Sequence, residues 1–415
     1  MAINTHRRAA LLCMLVLITM LTVLPTSTIV MVVDAKKKGE TAAAATHNTD
    51  DDTIVDDEDD YDTLSPVKKD VYKRNLVREN IRYKNVLSQC NKYQHDTTKR
   101  NMPSDLNTLV YVTPWNSKGY EMAELFNKKF THVSPVWHQV KWTGKSIAIE
   151  GDHNVDQKWI ARVRGGPYTS TPAAGATKIV PRYIMEGGWD VNSLNRVMTE
   201  GMLIGALKDH NNKHQYDGLV LEGVASHMKF HLELRNLFIE RLHDVFHKEN
   251  RELIVVIPPL QSTQITAEDV AQLAPYVDGF SLMTYDYEPR SGVLAPMQWI
   301  EENLRSIQTV AAPYMSKVMV GLPFYGYTGT YGGSHAAMVG HEYTKVLQTY
   351  RPKMQWVSAH QQHTFNYVDE QDHQRWVSYP TLLFIDKRLA LAKHYGCSIS
   401  IWEIGQGLPY FYDML

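Results

Sequence analysis

Carboxylates set beside aromatic rings mark where this chain could do chemistry. Tyr285-Asp286-Tyr287 and Trp402-Glu403 each follow a short apolar run, and Glu222 ends another, Tyr216-Asp217-Gly218-Leu219-Val220-Leu221. A carboxyl group donates a proton when its surroundings raise its pKa, and it accepts hydrogen bonds when ionised. Flat aromatic faces stack on the apolar faces of pyranose rings while carboxylates take the hydroxyls, so these residue types suit a saccharide. Any one of the aromatics is equally explained by core packing. Several at corresponding ends of apolar runs are harder to explain that way.

The positioning elements follow from the runs themselves. Residues 216–221 are continuously apolar after Asp217-Gly218, as a strand covered on both faces must be. Similar runs predict strands over 108–113, 131–136, 178–184, 252–257, 279–284, 317–322 and 397–401, and helices are expected over 120–127, 193–210, 230–250, 267–274, 299–310 and 382–395. Eight strands alternating with helices is the pattern of an α/β fold, a (β/α)8 TIM barrel. The long gap between strands seven and eight holds Gln355-Trp356-Val357, Thr364 to Val368 and Arg375-Trp376-Val377, which predict a small α+β insertion over about 330–380. In such a barrel the C-terminal strand ends build the site. Those ends are Trp115, Trp137, Glu186 to Trp189, Glu222, Tyr285 to Tyr287, Phe324-Tyr325 and Trp402-Glu403.

Residues 215–224 resemble the fourth-strand signature of glycoside hydrolase family 18, the chitinases: aromatic-Asp-Gly-apolar-Asp-apolar-Asp-aromatic-Glu. Asp217 and Gly218 match, whereas Val220, Glu222 and Val224 stand at its three later acidic positions. Met283-Thr284-Tyr285-Asp286 is similar to the sixth-strand motif, Gly321 to Gly326 to the seventh and Ile401-Trp402-Glu403 to the eighth; Tyr111 and Trp115 resemble the first. The third-strand Ser-x-Gly-Gly is replaced by Val180-Pro181-Arg182-Tyr183, with Gly187-Gly188-Trp189 later. Longer matches, over 111–117, 279–287 and 400–408, resemble the chitinase-domain-containing (stabilin-interacting chitinase-like) branch of that family.

The resemblance implies substrate-assisted chemistry, in which the sugar's acetamido group attacks and the enzyme supplies one proton donor. That donor is the final Glu, here Val224, so no catalytic residue is expected. Period-two alternation puts Glu222 on the same side as position 224 but about 6–7 Å deeper. The resemblance therefore implies a non-hydrolytic lectin for amino-sugar oligosaccharides, with Trp115, Trp137, Glu222, Met283, Tyr285, Asp286, Tyr325 and Trp402 as sugar-binding residues and a sorting-receptor protein as a further partner. Two rivals stay open: a weak glycosidase using Glu222 or Asp286, and a protein-interaction scaffold whose groove its own side chains fill. Turnover separates the first rival, and a closed groove the second.

Composition bounds the rest. The 415 residues carry 21% charged and 44% hydrophobic residues and a net charge of −2, which gives no reason to expect nucleic acid. Residues 1–35 join His6-Arg7-Arg8 to a long apolar run, a signal peptide or signal anchor that leads to secretion or the lysosome. Residues 36–66 form an acidic linker expected to be disordered, and 67–104 a basic helical extension ahead of the barrel at 105–415. Cys90 and Cys397 are read as free thiols, with pairing as the alternative. The sequence shows no metal cluster or phosphate-binding glycine loop, so no cofactor is expected.

Overall fold

A computed structural model describes residues 63–165, 175–187, 189–229, 231–262 and 264–415. The leader, most of the linker and Gly188 lie outside the described residues. In chain order the strands are β1 (Ser65–Val67), β2 (Lys92–Gln94), β3 (Thr108–Val112), β4 (His132–Pro135), β5 (His138–Trp142), β6 (Ile147–Glu150), β7 (Lys178–Ile179), β8 (Arg182–Met185), β9 (Gly218–Glu222), β10 (Glu252–Ile257), β11 (Gly279–Leu282) and β12 (Val318–Pro323); an antiparallel group, β13 (Gly326–Thr330), β14 (His335–Met338), β15 (Gln355–Val357), β16 (Gln362–Val368) and β17 (Gln374–Ser378), precedes β18 (Ser398–Trp402).

The parallel pairings run β9–β10–β11–β12–β18–β3–β4–β7 and β8–β9. β7 and β8 are two halves of the third strand, interrupted at Pro181, which has no N–H for the ladder. Its carbonyl still accepts from Val220 N at 2.9 Å. With that strand counted once, the ring closes on eight strands, the expected TIM barrel. Leu109, Tyr111, Val136, Val180, Val220, Ile254, Val256 and Met319 fill the interior. Their neighbours Val110, Val133, Leu219, Leu221 and Val255 face outward into the larger core under the helices. Burial on both faces is why these strands read as unbroken apolar runs.

Three expectations change. The helix expected over 193–210 is two helices, Val191–Thr199 and Met202–His214, because Gly201 between them is left-handed at φ +69°. The extension at 67–104 is not a long helix. Among the described residues it holds β2 and one five-residue helix, Tyr83–Leu87, while β1 begins at Ser65, inside the stretch expected to be a disordered linker. Val71, Leu76, Ile81 and Val86 are all buried, but they recur every five residues, a spacing that leaves no single apolar face on an α-helix. The insertion begins earlier than expected, at Gly326, and has five strands in the order β14-β13-β17-β16-β15, with a helix at Gly340–Tyr350. Cys90 and Cys397 are both buried and do not pair with each other.

Candidate functional site

Strand parity decides which side chains reach the barrel mouth. On the third strand, Val180 points inward and so does Arg182 two residues on. On the fourth, Val220 and Glu222 do the same. Arg182 Nη1 meets Glu222 Oε2 at 3.1 Å, with both side chains largely buried. The Arg182 guanidinium also lies 5.7 Å from the Trp402 ring centroid, within cation–π range. Trp402, half-buried at the end of β18, packs on the interior cluster together with Met283. Its ring is 5.1 Å from that of Tyr111 and 6.5 Å from that of Tyr285, nearly parallel to the latter. Beneath them Tyr111 Oη donates to Ser281 Oγ at 2.8 Å, and Ser281 Oγ to Ser400 Oγ at 3.2 Å. This polar relay spans three strands.

Asp286 holds the neighbouring part of the mouth. Its backbone is left-handed at φ +58°, a conformation Asp tolerates better than most residues and one found at functional sites. Oδ1 accepts from Tyr325 Oη at 2.5 Å and from Tyr327 Oη at 2.8 Å. Desolvation pushes the Asp286 carboxyl above the usual range, and the two phenol hydrogen bonds oppose it without cancelling it. Burial likewise pushes the Tyr285 phenol well up, with Tyr111, Glu222 and Asp286 adding to the shift.

Of the expected sugar-binding residues, Glu222, Met283, Tyr285 and Trp402 gather around one centre, and Tyr325 lies against Asp286. Trp115 stands 70% exposed in the turn after β3, too open for a core role. Trp137 is a correction: it is fully buried in the outer layer, where its Nε1 donates to Tyr120 Oη at 2.7 Å and its ring meets Trp159 at 5.7 Å. Val133 faces outward, so alternation brings Val136 inward and turns Trp137 outward with Val133. Val224 is a second correction. β9 ends at Glu222, Gly223 is left-handed at φ +97°, and Val224 opens the short helix Val224–His227, 2% exposed in the outer core. Alternation stops at Glu222, so the two positions do not share a face. Sequence reading also missed Arg182 and Tyr327. Arg182 was detectable as a charge at an inward position, two residues after Val180 on its strand. Tyr327 reaches Asp286 only because the insertion folds back, which no spacing reveals.

Glu403 faces away from the interior and is fully buried. It accepts from Asn116 Nδ2 at 2.5 Å and from Gly405 N at 2.9 Å, which ties β18 to the turn that carries Trp115. Burial pushes its carboxyl up to about 7, with these donors opposing. A carboxyl raised on folding stabilises fully below its unfolded value and loses that contribution as pH rises through the folded one. Stability is therefore expected to fall between about pH 4.5 and about pH 7, by on the order of 3 kcal/mol from this group. Urea unfolding across that window should show the fall, and Glu403→Gln should flatten it. An unchanged slope in the variant would assign the dependence to another group.

The model of the glycosyl hydrolases family 18 matches residues 195–407. A Bacillus subtilis (strain 168) protein, YdhD, named for a sporulation-specific glycosylase, is 21% identical over 291 residues, which cover 66% of this chain and 64% of that relative's length. Among solved structures, a chitinase from Chromobacterium violaceum superposes with a TM-score of 0.63 at 17% identity, over 74% of this chain and 98% of that one. The spore cortex-lytic enzyme SleL of Bacillus megaterium gives 0.60 at 16% identity, over 74% and 72%. A catalytic domain of an Ostrinia furnacalis Group II chitinase gives 0.57 at 16%, over 75% and 96%. At these identities the structures are similar to this chain in fold.

Proposed function

Because this chain belongs to glycosyl hydrolase family 18, we propose that it binds amino-sugar oligosaccharides at the mouth of its barrel and does not cleave them. One observation carries the reading. The position of the family's proton donor is Val224, turned into the outer core, while Trp402, Tyr285 and Asp286 still line the mouth. Glu222 offers no substitute, because its carboxylate is engaged by Arg182. The likeness to the chitinase-domain-containing branch and the apolar leader extend the proposal to a secreted or lysosomal protein with a sorting receptor as partner. A weak glycosidase is the second reading, and Asp286 favours it: desolvation moves that carboxyl toward the protonated form an acid needs.

Protein recovered from culture medium and applied to a glycan array should bind chitin-type oligomers. Trp402→Ala should weaken chitotriose binding by about 0.5–1.5 kcal/mol, the scale of aromatic stacking, or roughly 2- to 12-fold in Kd. Calorimetric titration of the folded variant reads this directly. Unchanged affinity would move the site off Trp402. Steady release of shorter sugars by the native protein would favour the glycosidase.

A further inference from the structure

Outside the barrel's interior, three histidines converge on one carboxylate. Asp152 follows β6, and its Oδ1 lies 2.7 Å from His210 Nε2 and 3.2 Å from His214 Nε2. These two histidines are four residues apart on the helix Met202–His214, so they share a face. His138, at the start of β5, completes the group: its ring is 4.6 Å from that of His210. One ligand atom from each of His138, Asp152 and His210 lies within 4.8 Å of the others. We propose that His138, His210, His214 and Asp152 form a zinc site that joins β5, the turn after β6 and this helix.

The surroundings fit a metal better than they fit a packed core. His138 is 1% exposed, yet its Nδ1 has no well-formed hydrogen bond; a contact with the Glu150 backbone falls short of one. The far nitrogens are already held by phenols, His138 Nε2 by Tyr216 Oη at 3.1 Å and His210 Nδ1 by Tyr183 Oη at 2.8 Å. Outer hydrogen bonds of this kind fix ring orientation and tautomer at metal centres. Burial holds all three imidazoles toward their neutral, ligating form. Lys213 pairs with Oδ2 of Asp152 and leaves Oδ1 on the histidine side; its side chain is 61% exposed, free to move as the charge at Asp152 changes. Three imidazoles and one carboxylate are a donor set that zinc accepts, at about 2.0–2.2 Å, which sets ligand atoms roughly 3.4 Å from one another. Asp152 Oδ1 and His210 Nε2, now 2.7 Å apart, would part slightly to admit the ion.

The test uses the purified full chain, stripped with chelator and then titrated with zinc alone. We expect one zinc per chain, a dissociation constant below about 1 µM, and a rise in Tm of roughly 5 °C that magnesium does not give. Cobalt in place of zinc should give a visible d–d spectrum of a four-coordinate site. His210→Gln with His214→Gln should weaken zinc at least about 100-fold. A second histidine pair, His243 and His247 with rings 3.9 Å apart, lies on another helix and is the control. His243→Gln with His247→Gln should leave the tight site intact. Absence of zinc binding and of any Tm rise in the unmutated chain would overturn the proposal, whatever the variants do. Loss of binding with the control pair alone would also overturn it.

Discussion

Val224→Glu protein is expected to turn over no chitin oligomer and to lose about 3 kcal/mol or more of stability. Restoring the family's residue type does not restore its place. The left-handed Gly223 swings the chain out of the strand, and Val224 is 2% exposed in the apolar layer beneath the helices. A carboxyl there leaves water without a partner, a cost of several kcal/mol that it reduces only by staying protonated. It would also be directed away from the centre formed by Trp402, Tyr285 and Glu222. A displacement of 1 Å costs catalysis about 100-fold, and this one is a change of face. A fluorogenic chitotrioside assayed from about pH 4 to about pH 8, beside urea unfolding, checks both parts. Robust turnover by the variant alone would mean that Val224 was the sole lesion and that its loop faces the mouth. Robust turnover by the native chain would end the binding proposal.

The same residues show how far sequence reading reaches. Unbroken apolar runs identified all eight barrel strands, since both faces of each are buried, and the aromatic and acidic strand ends located the mouth. Parity carried Glu222 correctly inward because β9 is regular, and the same rule, not applied to the third strand, turns Arg182 inward with Val180. Parity failed at Val224, beyond the last regular residue of its strand, where a left-handed glycine resets the alternation. Trp137 counted as a site residue only by ending a strand, although alternation from the outward Val133 turns it outward too. The every-fifth-residue spacing of Val71, Leu76, Ile81 and Val86 was available in the sequence and argues against the helix expected there. Tyr327 on Asp286, and His138 beside His210, unite segments 41 to 72 residues apart in the chain. Tertiary folding alone brings such pairs together.

Arg388→Met is expected to cost about 3–5 kcal/mol and to weaken sugar binding although Arg388 lies outside the mouth. Arg388 is fully buried on the helix Leu382–His394, with its guanidinium 3.3 Å from the Phe384 ring centroid. Burial drives its pKa well down, yet its hydrogen bonds all run to backbone carbonyls. Nε donates to Ala295 O at 2.9 Å, and Nη2 reaches the same oxygen. Nη1 reaches Gln361 O and Phe384 O, each at 3.0 Å, and Nη2 reaches His360 O at 3.1 Å. The fork therefore joins the turn between β15 and β16 to the loop before the helix Met297–Ala311. Methionine fills the volume but donates nothing, leaving the buried Ala295 carbonyl without this donor at about 1–3 kcal/mol before relaxation and the half-buried His360 and Gln361 carbonyls without it at less. Arg388→Lys should recover part of the loss, because three rotatable donors replace some of the fork and not its plane. The effect on binding follows from connectivity: the sheet anchored at this turn also contains β13, whose Tyr327 donates to Asp286. A loosened insertion leaves Asp286 held by Tyr325 alone. Urea unfolding of the two variants, with chitotriose titration under native conditions, separates the stability term from the binding term. A methionine variant within about 1 kcal/mol of the native protein would show that the carbonyls find water and that the insertion does not depend on this cation.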